Sequence, residues 1–298
     1  MNNFPESKTQ DLRPKILITG AKGQLGKKII DLLGEKYRLI LTDADDMDIT
    51  NAELVNKRFA EEKPDYVIHG AAYTKVDAAE ENEELCKKIN SLGSKNIAEA
   101  AKNTGATVVY ISTDYVFDGE KNTPYTEEDD ANPLSVYGET KLQGEEFIED
   151  ICDKYYIMRI AWLFGELPEG HPGTNFVESM LRLASERDSL NIVNDQIGSP
   201  TYTGDLVKTI DEVITKRIPY GRYHFSGNEA ASWYDFAKEI FERTDTKIMV
   251  NPITSDQYPQ KAKRPGYSYM SKEKIEKALG FKVRSWKEML DEYLVNRA

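Results

Sequence analysis

The sequence predicts an α/β fold, in which a doubly wound parallel sheet is followed by a smaller, mixed α/β C-terminal domain. Two observations predict it. Short apolar runs alternate with helical patterns through the first half of the chain, which is typical of right-handed βαβ units. After residue 165 the pattern changes to breaker-rich turns and short elements. We expect an extension at 1–14, a first domain at 15–165, and a second domain at 166–298, some segments of which return to the first.

Each element has a local signal. Thr50 is expected to cap the second helix and Pro64 to end it, while Gly105 ends the third helix, whose apolar face includes Leu85 and Leu92. The predicted strands lie at residues 15–19, 37–42, 66–69, 107–112, 155–161, 191–195 and 221–225. The predicted helices lie at residues 25–33, 53–62, 83–104, 137–149, 176–186, 206–216, 233–242 and 272–279.

A glycine-rich turn follows the first apolar run. Gly20, Gly23 and Gly26 are evenly spaced, and apolar residues then continue at helical spacing. In a strand–turn–helix unit such glycines permit a tight reversal, close backbone approach to a pyrophosphate and close packing of the helix on the sheet. Asp43 ends the next apolar run about 20 residues later, where an acid can bind an adenosine ribose. The turn predicts Rossmann-like dinucleotide binding, and the alternative is a plain βαβ turn.

Composition restricts the classes of function. The formal net charge of −12 argues against broad binding to nucleic acid or anionic membranes, because both need a basic face. Two cysteines and three histidines, without a C-x-x-C motif, indicate neither a disulfide framework nor a zinc site. No apolar run could span a bilayer, and residues 1–14 lack the apolar core of a signal peptide. We expect a cytoplasmic protein without nucleic-acid or membrane partners.

The candidate chemistry lies in a helix that follows an acidic loop. Tyr137 and Lys141 are four residues apart, so on a helix they share a face. A nearby ammonium is expected to lower the pKa of the phenol toward the working range of a general acid. Thr113 ends the fourth apolar run, at the sheet edge where ligands bind, and can donate to a carbonyl oxygen beside Tyr137. These residues predict carbonyl reduction with a nicotinamide cofactor; the alternative is an exposed helical Tyr and Lys.

Several motifs together resemble the extended short-chain dehydrogenase/reductase family. They are the glycine turn at 20–26, AAYTKVDAAE at 71–80, STDYVFDG at 112–119, the P-x-x-x-Y-G-x-x-K helix start at 133–141 and NDQIGSPT at 194–201. The resemblance covers about residues 15–298 and implies a dinucleotide-binding first domain and a substrate-binding second domain. It implies reduction of the 4-keto group of a nucleotide-activated deoxyhexose, with dTDP-4-dehydro-L-rhamnose as the expected substrate.

The resemblance also implies a role for each matching residue. Tyr137 would donate the proton, Lys141 would bind the nicotinamide ribose, and Thr113 would complete a catalytic triad. Besides Tyr137 and Lys141, the cofactor positions would be Gly20, Gly23, Gln24, Leu25, Gly26, Asp43, Asp48, Ile49, Ala71, Ala72 and Tyr73. The positions that contact the sugar would be Val76, Thr113, Asp114, Tyr115 and Trp162. Candidate partners of the substrate diphosphate are Arg182, Arg187, Arg222 and Arg264.

The residues around Asp43 bear on the choice of cofactor. Ala44, Asp45 and Asp46 follow it, with no arginine to receive a 2′-phosphate, so we predict NADH over NADPH, with Lys22 softening that preference. NADPH remains possible.

The first helix bears on metals and assembly. Some family members carry a glutamate there that takes part in a magnesium-bridged dimer, and the matching residue here is Lys28, which cannot ligate Mg²⁺. We expect no metal in catalysis and no metal-dependent dimer, while a homodimer stays open.

Two other classes stay open. An epimerase or dehydratase of the same fold would share the Tyr/Lys chemistry, but dehydratases typically carry an Asp-Glu pair where this chain has Asp114 and Tyr115. A non-catalytic NADP-binding regulatory subunit would share the fold without needing Thr113, Tyr137 and Lys141.

Overall fold

A computed structural model describes residues 11–171 and 173–297. Most of the expected extension, residues 1–10, lies outside the described residues. Within the described part of the extension, Arg13 donates hydrogen bonds to the carbonyl oxygens of Gly34 and Glu35, at 3.0 and 2.9 Å. The chain is therefore anchored to the first βαβ unit from Arg13 onward.

The strands of the described residues follow the predicted order, with additional short strands in the second half. They are β1 (Lys15–Thr19), β2 (Arg38–Thr42), β3 (Tyr66–His69), β4 (Thr107–Thr113), β5 (Tyr155–Ile160), β6 (Leu163–Phe164), β7 (Ser189–Val193), β8 (Ile197–Gly198), β9 (Thr201–Tyr202), β10 (Gly221–Phe225), β11 (Ala231–Ser232) and β12 (Met249–Ile253).

The helices are α1 (Gln24–Leu33), α2 (Ala52–Glu62), α3 (Val76–Ala79), α4 (Glu83–Lys87), α5 (Gly93–Thr104), α6 (Val136–Ile151), α7 (Phe176–Glu186), α8 (Thr203–Lys216), α9 (Trp233–Arg243), α10 (Glu273–Leu279) and α11 (Trp286–Asn296). A π-helical turn, Lys88–Leu92, joins α4 to α5, and single 3₁₀ turns lie at Asp114–Val116 and Ser255–Gln257. No helix within 11–171 or 173–297 is long and apolar enough to cross a membrane.

A six-stranded parallel sheet forms the centre of the fold, in the order β10-β5-β4-β3-β1-β2. The predicted doubly wound α/β fold is confirmed. The chain order reverses at β1, which pairs with β2 on one side and β3 on the other. A crevice therefore opens at the carboxyl ends of β1 and β3, where open α/β sheets bind their ligands.

Both faces of the sheet are buried, which explains why its strands are almost continuously apolar. Ile16 and Ile18 of β1 point to one face, in a core that also includes residues of α1 and α8. Leu17 points to the other face, where α2, α5 and α6 pack. Successive β1 residues thus contribute to separate cores on opposite faces.

The second half of the chain does not form a separate layer throughout. β10 pairs in parallel with β5 and completes one edge of the central sheet. The other late strands form small two-stranded pairs, β6 with β9, β7 with β12, and β8 with β11. The division at residue 165 stays a prediction.

Two local predictions were wrong. Asn51, rather than Thr50, caps α2, because its side-chain oxygen accepts the N–H groups of Glu53 and Leu54. In the helical segment 83–104, Leu85 and Leu92 are 48% and 45% exposed. The π-helical turn between them interrupts the 3.6-residue repeat and instead buries the polar residues Asn90 and Ser94 nearby.

Candidate active site

The candidate site lies where the carboxyl end of β4 meets the first turns of α6. Ser135 caps α6 by accepting the N–H of Gly138 at 3.2 Å, so the helix begins one residue before Tyr137. This start places Tyr137 and Lys141 against β4. The Thr113 hydroxyl lies near the Tyr137 phenol, and the Tyr115 ring packs edge-on against Tyr137 with centroids 5.6 Å apart.

The predicted lowering of the Tyr137 pKa was wrong for this structure, because burial outweighs the nearby ammonium. Lys141 Nζ donates to the carbonyl oxygen of Ile111 at 2.7 Å and lies 4.0 Å from the Tyr110 ring centroid. Burial raises the pKa of the Tyr137 phenol, and the Thr113 hydroxyl opposes this. Burial also lowers the pKa of Lys141 to about 7. Desolvation therefore dominates both groups, and sequence spacing could not reveal how deeply either would be enclosed.

Asp114 joins Thr113 to the C-terminal half of the chain. Its carboxylate accepts the Ser268 hydroxyl at 2.6 Å and the Thr113 hydroxyl at 3.2 Å. It is 2% exposed, and burial raises the pKa of Asp114 to about 6 despite these hydrogen bonds. Ser268 itself is fixed through its backbone, which donates to Ile197 at 2.7 Å. Asp114 thus joins β4 to the loop that carries the NDQIGSPT motif.

The glycine turn forms a cradle that fits a dinucleotide pyrophosphate. Gly20 has φ +74°, and a Cβ there would lie 3.0 Å from the amide nitrogen of Ala71. A Cβ on Gly26 would lie 2.4 Å from the Ala21 carbonyl oxygen, so α1 can lie this close only with glycine. In the described part of the chain no side chain caps α1 at Gly23. Its first N–H groups and positive helix end are available to an anion.

Gln24 and Leu25 open α1 beside this cradle. Leu25 is buried, and Gln24 Nε2 donates to the Leu163 carbonyl oxygen at 3.3 Å. Gln24 Oε1 is buried and has no hydrogen-bond partner among the described residues. An unpaired buried acceptor next to open helix N–H groups is consistent with a ligand that completes the site.

The segment Ala71–Ala72–Tyr73 is held by two buried polar groups from neighbouring elements. The Ala71 N–H donates to the Thr19 hydroxyl at 3.1 Å. The Asn90 side chain accepts the Tyr73 N–H at 2.7 Å and donates to the Tyr73 carbonyl at 3.2 Å. These contacts fix the backbone that follows β3 at the crevice.

Charged side chains surround Asp43 at the other end of the crevice. Asp43 accepts the backbone N–H of Lys22 at 2.9 Å, and Lys22 Nζ forms an ion pair with Asp45 at 2.5 Å. Arg58 reaches Asp46 at 3.2 Å, so an arginine from α2 lies near a position where the local sequence showed none. A cavity of about 750 Å³ runs from Lys22 and Asp43 to residues 168–171.

Asp48 and Ile49, the expected adenine neighbours, follow this cluster. Asp48 accepts the Thr50 N–H at 2.9 Å. Ile49 is buried, and its carbonyl accepts Asn96 Nδ2 at 2.9 Å. Neither residue lines the cavity that begins at Asp43.

Arg264 is the candidate diphosphate partner that the structure brings to the site. Val76 begins α3, and its neighbour Asp77 accepts Arg264 Nη2 at 2.7 Å and Nη1 at 3.1 Å. Arg264 also lies near the Tyr115 phenol and opposes the rise that burial causes in the pKa of Tyr115. By contrast, Arg182 and Arg222 pair with glutamates outside the site, Glu186 and Glu149 respectively. Arg187 is exposed after α7.

Trp162 has a strained backbone and a partner that sequence analysis missed. Its φ is +48°, a left-handed conformation that is unfavourable for a bulky residue. Its carbonyl accepts the Thr201 N–H at 3.2 Å, and its ring stacks on Trp233 with centroids 3.7 Å apart. One face of the indole is therefore already covered, and a sugar contact would use the remaining surface.

Lys28, the residue in place of the glutamate, pairs within the chain. Its Nζ lies 2.7 Å from Glu166, with both side chains about nine-tenths buried. Tyr202 donates to the same carboxylate at 2.7 Å. Among the described residues no cluster of three or more His, Cys, Asp or Glu side chains could hold a metal ion.

Asn90, Trp233, Asp77 and Ser268 are the residues near the site that sequence analysis missed. Asn90 had a weak signal, as a polar residue inside an otherwise amphipathic helical segment. The other three act through contacts with residues distant in sequence, which no local pattern shows.

The fold and the site together define a Rossmann-fold protein of the extended short-chain dehydrogenase/reductase class. A glycine cradle occupies the switch point of a parallel sheet, and Thr113, Tyr137 and Lys141 converge beside it.

Comparison with known proteins is more specific. Residues 14–298 match the family described as RmlD substrate binding domain. The chain is 40% identical over 289 residues to the dTDP-4-dehydrorhamnose reductase of Aggregatibacter actinomycetemcomitans, covering 93% of this chain and 97% of that protein. The chain belongs to the dTDP-4-dehydrorhamnose reductase family, and the predicted resemblance is confirmed.

Solved structures agree with this assignment. A dTDP-4-dehydrorhamnose reductase from Clostridium acetobutylicum is similar with a TM-score of 0.90 and 48% identity, over 95% of this chain and 99% of that one. A dTDP-4-dehydrorhamnose reductase from Bacillus anthracis, in complex with NADP, gives a TM-score of 0.91 and 40% identity, over 96% of this chain and 100% of that one.

Proposed function

We propose that the protein reduces the 4-keto group of dTDP-4-dehydro-L-rhamnose to give dTDP-L-rhamnose, using a reduced nicotinamide dinucleotide. The observation that carries the proposal is the convergence of Thr113 and Tyr137 beside the glycine cradle, with Lys141 fixed on the same helix face. The named activity of relatives that match nearly the whole chain supports the substrate.

The residues present fit the cofactor. The N-terminus of α1 would hold the pyrophosphate, Asp43 the adenosine ribose, Ala71–Tyr73 the nicotinamide half, and Lys141 the nicotinamide ribose. When bound, the reduced nicotinamide supplies the hydride that the carbonyl carbon accepts.

Tyr137 and Thr113 act on the carbonyl oxygen. Both hydroxyls donate hydrogen bonds to the oxygen as it gains negative charge, for which the Thr113 hydroxyl rotates away from Asp114. Tyr137 then transfers its proton to give the alcohol. A raised pKa suits this direction of reaction, because it keeps the phenol protonated at neutral pH. The ammonium of Lys141 stabilises the phenolate that remains, which recovers its proton from solvent.

Arg264 is the proposed ligand of the substrate diphosphate. It lies at the Tyr115 phenol, beside the sugar positions, and its guanidinium is held by Asp77. A planar guanidinium can bind phosphate oxygens in a bidentate manner while one edge stays paired to a carboxylate.

We further propose a preference for NADH over NADPH. Asp43, Asp45 and Asp46 carry three negative charges beside the adenosine ribose, while Lys22 and Arg58 are each paired with one of these acids. The remaining negative charge disfavours a 2′-phosphate. NADPH use remains the alternative, in line with the NADP complex of the Bacillus anthracis relative.

The proposal can be tested with a panel of nucleotide-activated 4-keto-deoxyhexoses. Each is assayed with NADH and with NADPH, and oxidation of the cofactor is followed by the absorbance of the reduced nicotinamide. We expect stoichiometric oxidation of the cofactor with the dTDP-linked 6-deoxy-4-keto sugar. Sugar conversion without net cofactor oxidation would instead identify an epimerase or dehydratase. Cofactor binding without any turnover would identify a regulatory subunit.

A further inference from the structure

The last three residues of β4 contact three residues on one face of α6. Lys141 Nζ donates to the Ile111 carbonyl at 2.7 Å, and the Tyr137 phenol lies near the Thr113 hydroxyl. The residue between them on β4, Ser112, donates its hydroxyl to Glu145, which lies one helical turn beyond Lys141. Tyr137, Lys141 and Glu145 therefore form a single face at four-residue spacing.

Glu145 is held by a guanidinium from the next strand. Arg159 is the cross-strand neighbour of Ser112 in the β4–β5 register. Its Nε lies 2.9 and 3.1 Å from the two Glu145 oxygens, and its Nη2 lies 2.6 Å from Oε2. The two side chains are 0% and 1% exposed, so this ion pair is fully enclosed.

A buried pair of this kind is weak evidence for stability, because desolvation of both charges offsets their attraction. Its placement points to another role. We propose that Glu145 is a positioning residue for Lys141, which fixes the rotation of α6 on β4 and sustains the positive charge of the buried ammonium. This inference rests on the proposed function, in which that charge stabilises the Tyr137 phenolate.

The groups around Lys141 support the assignment. The Tyr110 ring of β4 lies beside the ammonium, Cys86 approaches from α4, and His69 lies on β3. Burial lowers the pKa of His69 to about 3, so this imidazole is neutral. Burial lowers the pKa of Lys141 to about 7, and Glu145 is the largest influence that opposes the fall.

The pH profile of kcat tests the proposal, because an ammonium that must stay charged gives an alkaline limb. Glu145→Gln keeps the shape of the side chain and removes its negative charge. The alkaline fall in kcat should therefore move to lower pH by about 1 unit, and at pH values above that fall kcat should be about tenfold lower than in the wild type. Glu145→Gln/Arg159→Met removes both charges, which avoids an unpaired buried guanidinium, and should displace the limb in the same direction but by less, because the guanidinium partly offsets the charge of Glu145.

Glu149→Gln is the matched control. Glu149 lies one turn further along α6 and pairs with Arg222 at 2.6 Å, in a partly exposed position. Its profile should coincide with that of the wild type. A wild-type profile in either folded Glu145 variant would overturn the proposal and leave a structural role only.

Lys141→Met separates this inference from the proposed function. Retained turnover in Lys141→Met would show that the proposed function assigns Lys141 wrongly. If Lys141→Met loses turnover, the proposed role of Lys141 stands. If Glu145→Gln/Arg159→Met then shows the wild-type pH profile of kcat, only the role of Glu145 is refuted.

Discussion

The two ends of the candidate site are stabilised in different ways. At the catalytic end, Lys141 and Glu145 are 2% and 1% exposed and contact β4 directly. At the adenosine end, the side chains of Lys22 and Asp45 are both 67% exposed. Charges in water are screened and interact weakly, whereas enclosed polar groups depend on each partner. Substitutions should therefore abolish function at the first end and adjust selectivity at the second.

The largest expected effect is at Tyr137. Tyr137→Phe removes the proposed acid, and kcat should fall at least about 10²-fold, on the scale of general acid catalysis. Affinity for NADH, measured by fluorescence titration, should change little because the ring is retained. An unchanged kcat would rule out Tyr137 as the acid. It would also remove the main distinction between the catalytic end and the adenosine end of the site.

Asp114 provides a test through stability. Because burial raises its pKa to about 6, the folded state binds this proton more tightly than the unfolded state, and wild-type stability falls as pH rises from about 4 to about 6. In Asp114→Asn this contribution is absent. As the pH rises from about 4 to about 6, the free energy of unfolding of Asp114→Asn should therefore increase by about 2 kcal/mol relative to that of the wild type.

Urea unfolding of both proteins at each pH measures this difference. His69 works in the opposite direction, because its pKa is lowered, but it is present in both proteins and cancels. Parallel pH curves for the two proteins would show that the Asp114 carboxyl titrates normally.

Arg264 lies between the two extremes, since its side chain is 17% exposed. Arg264→Met should raise the KM for the nucleotide sugar about tenfold, the effect of one charge-assisted contact, while the KM for NADH stays unchanged. Arg222→Met, which breaks an arginine–glutamate pair outside the site, is the control. Equal KM values in the two variants would exclude Arg264 as the diphosphate ligand.

The smallest expected effect is at the adenosine end. Asp45→Asn frees the Lys22 ammonium, and the ratio of kcat/KM for NADPH to that for NADH should rise about threefold to fivefold. The gain should shrink at high salt, because these charges are exposed. Glu186→Gln, which breaks the exposed Arg182–Glu186 pair on α7 outside this cavity, should leave the ratio unchanged.

Sequence analysis predicted most of the first half of the fold because its signals are local. The apolar runs and the evenly spaced glycines each report on their own segment, and β1 to β5 lie close to their predicted positions. Several late elements were not predicted, namely β6, β8, β9, β11, β12 and α11. Their positions depend on packing against distant elements, which weak local patterns do not encode.

The candidate site divides in the same way. Thr113, Tyr137 and Lys141 were identifiable because their spacing on a strand end and a helix carries chemical meaning. Trp233 was not, because its partner Trp162 is distant in sequence, and Asn90 left only the weak signal of a polar residue in an amphipathic helical segment. The pKa changes at Tyr137 and Lys141 could not be predicted from the sequence either, because they depend on burial.

The position of β10 has a consequence for synthesis of the chain. β5 is an interior strand only because residues 221–225 pair with it. A ribosome must therefore deliver about three-quarters of the protein before β5 gains its outer neighbour. Until then a nascent chain presents an open row of peptide groups that another strand could occupy. Translational pausing before residue 225 would prolong the exposure of this unpaired edge of β5.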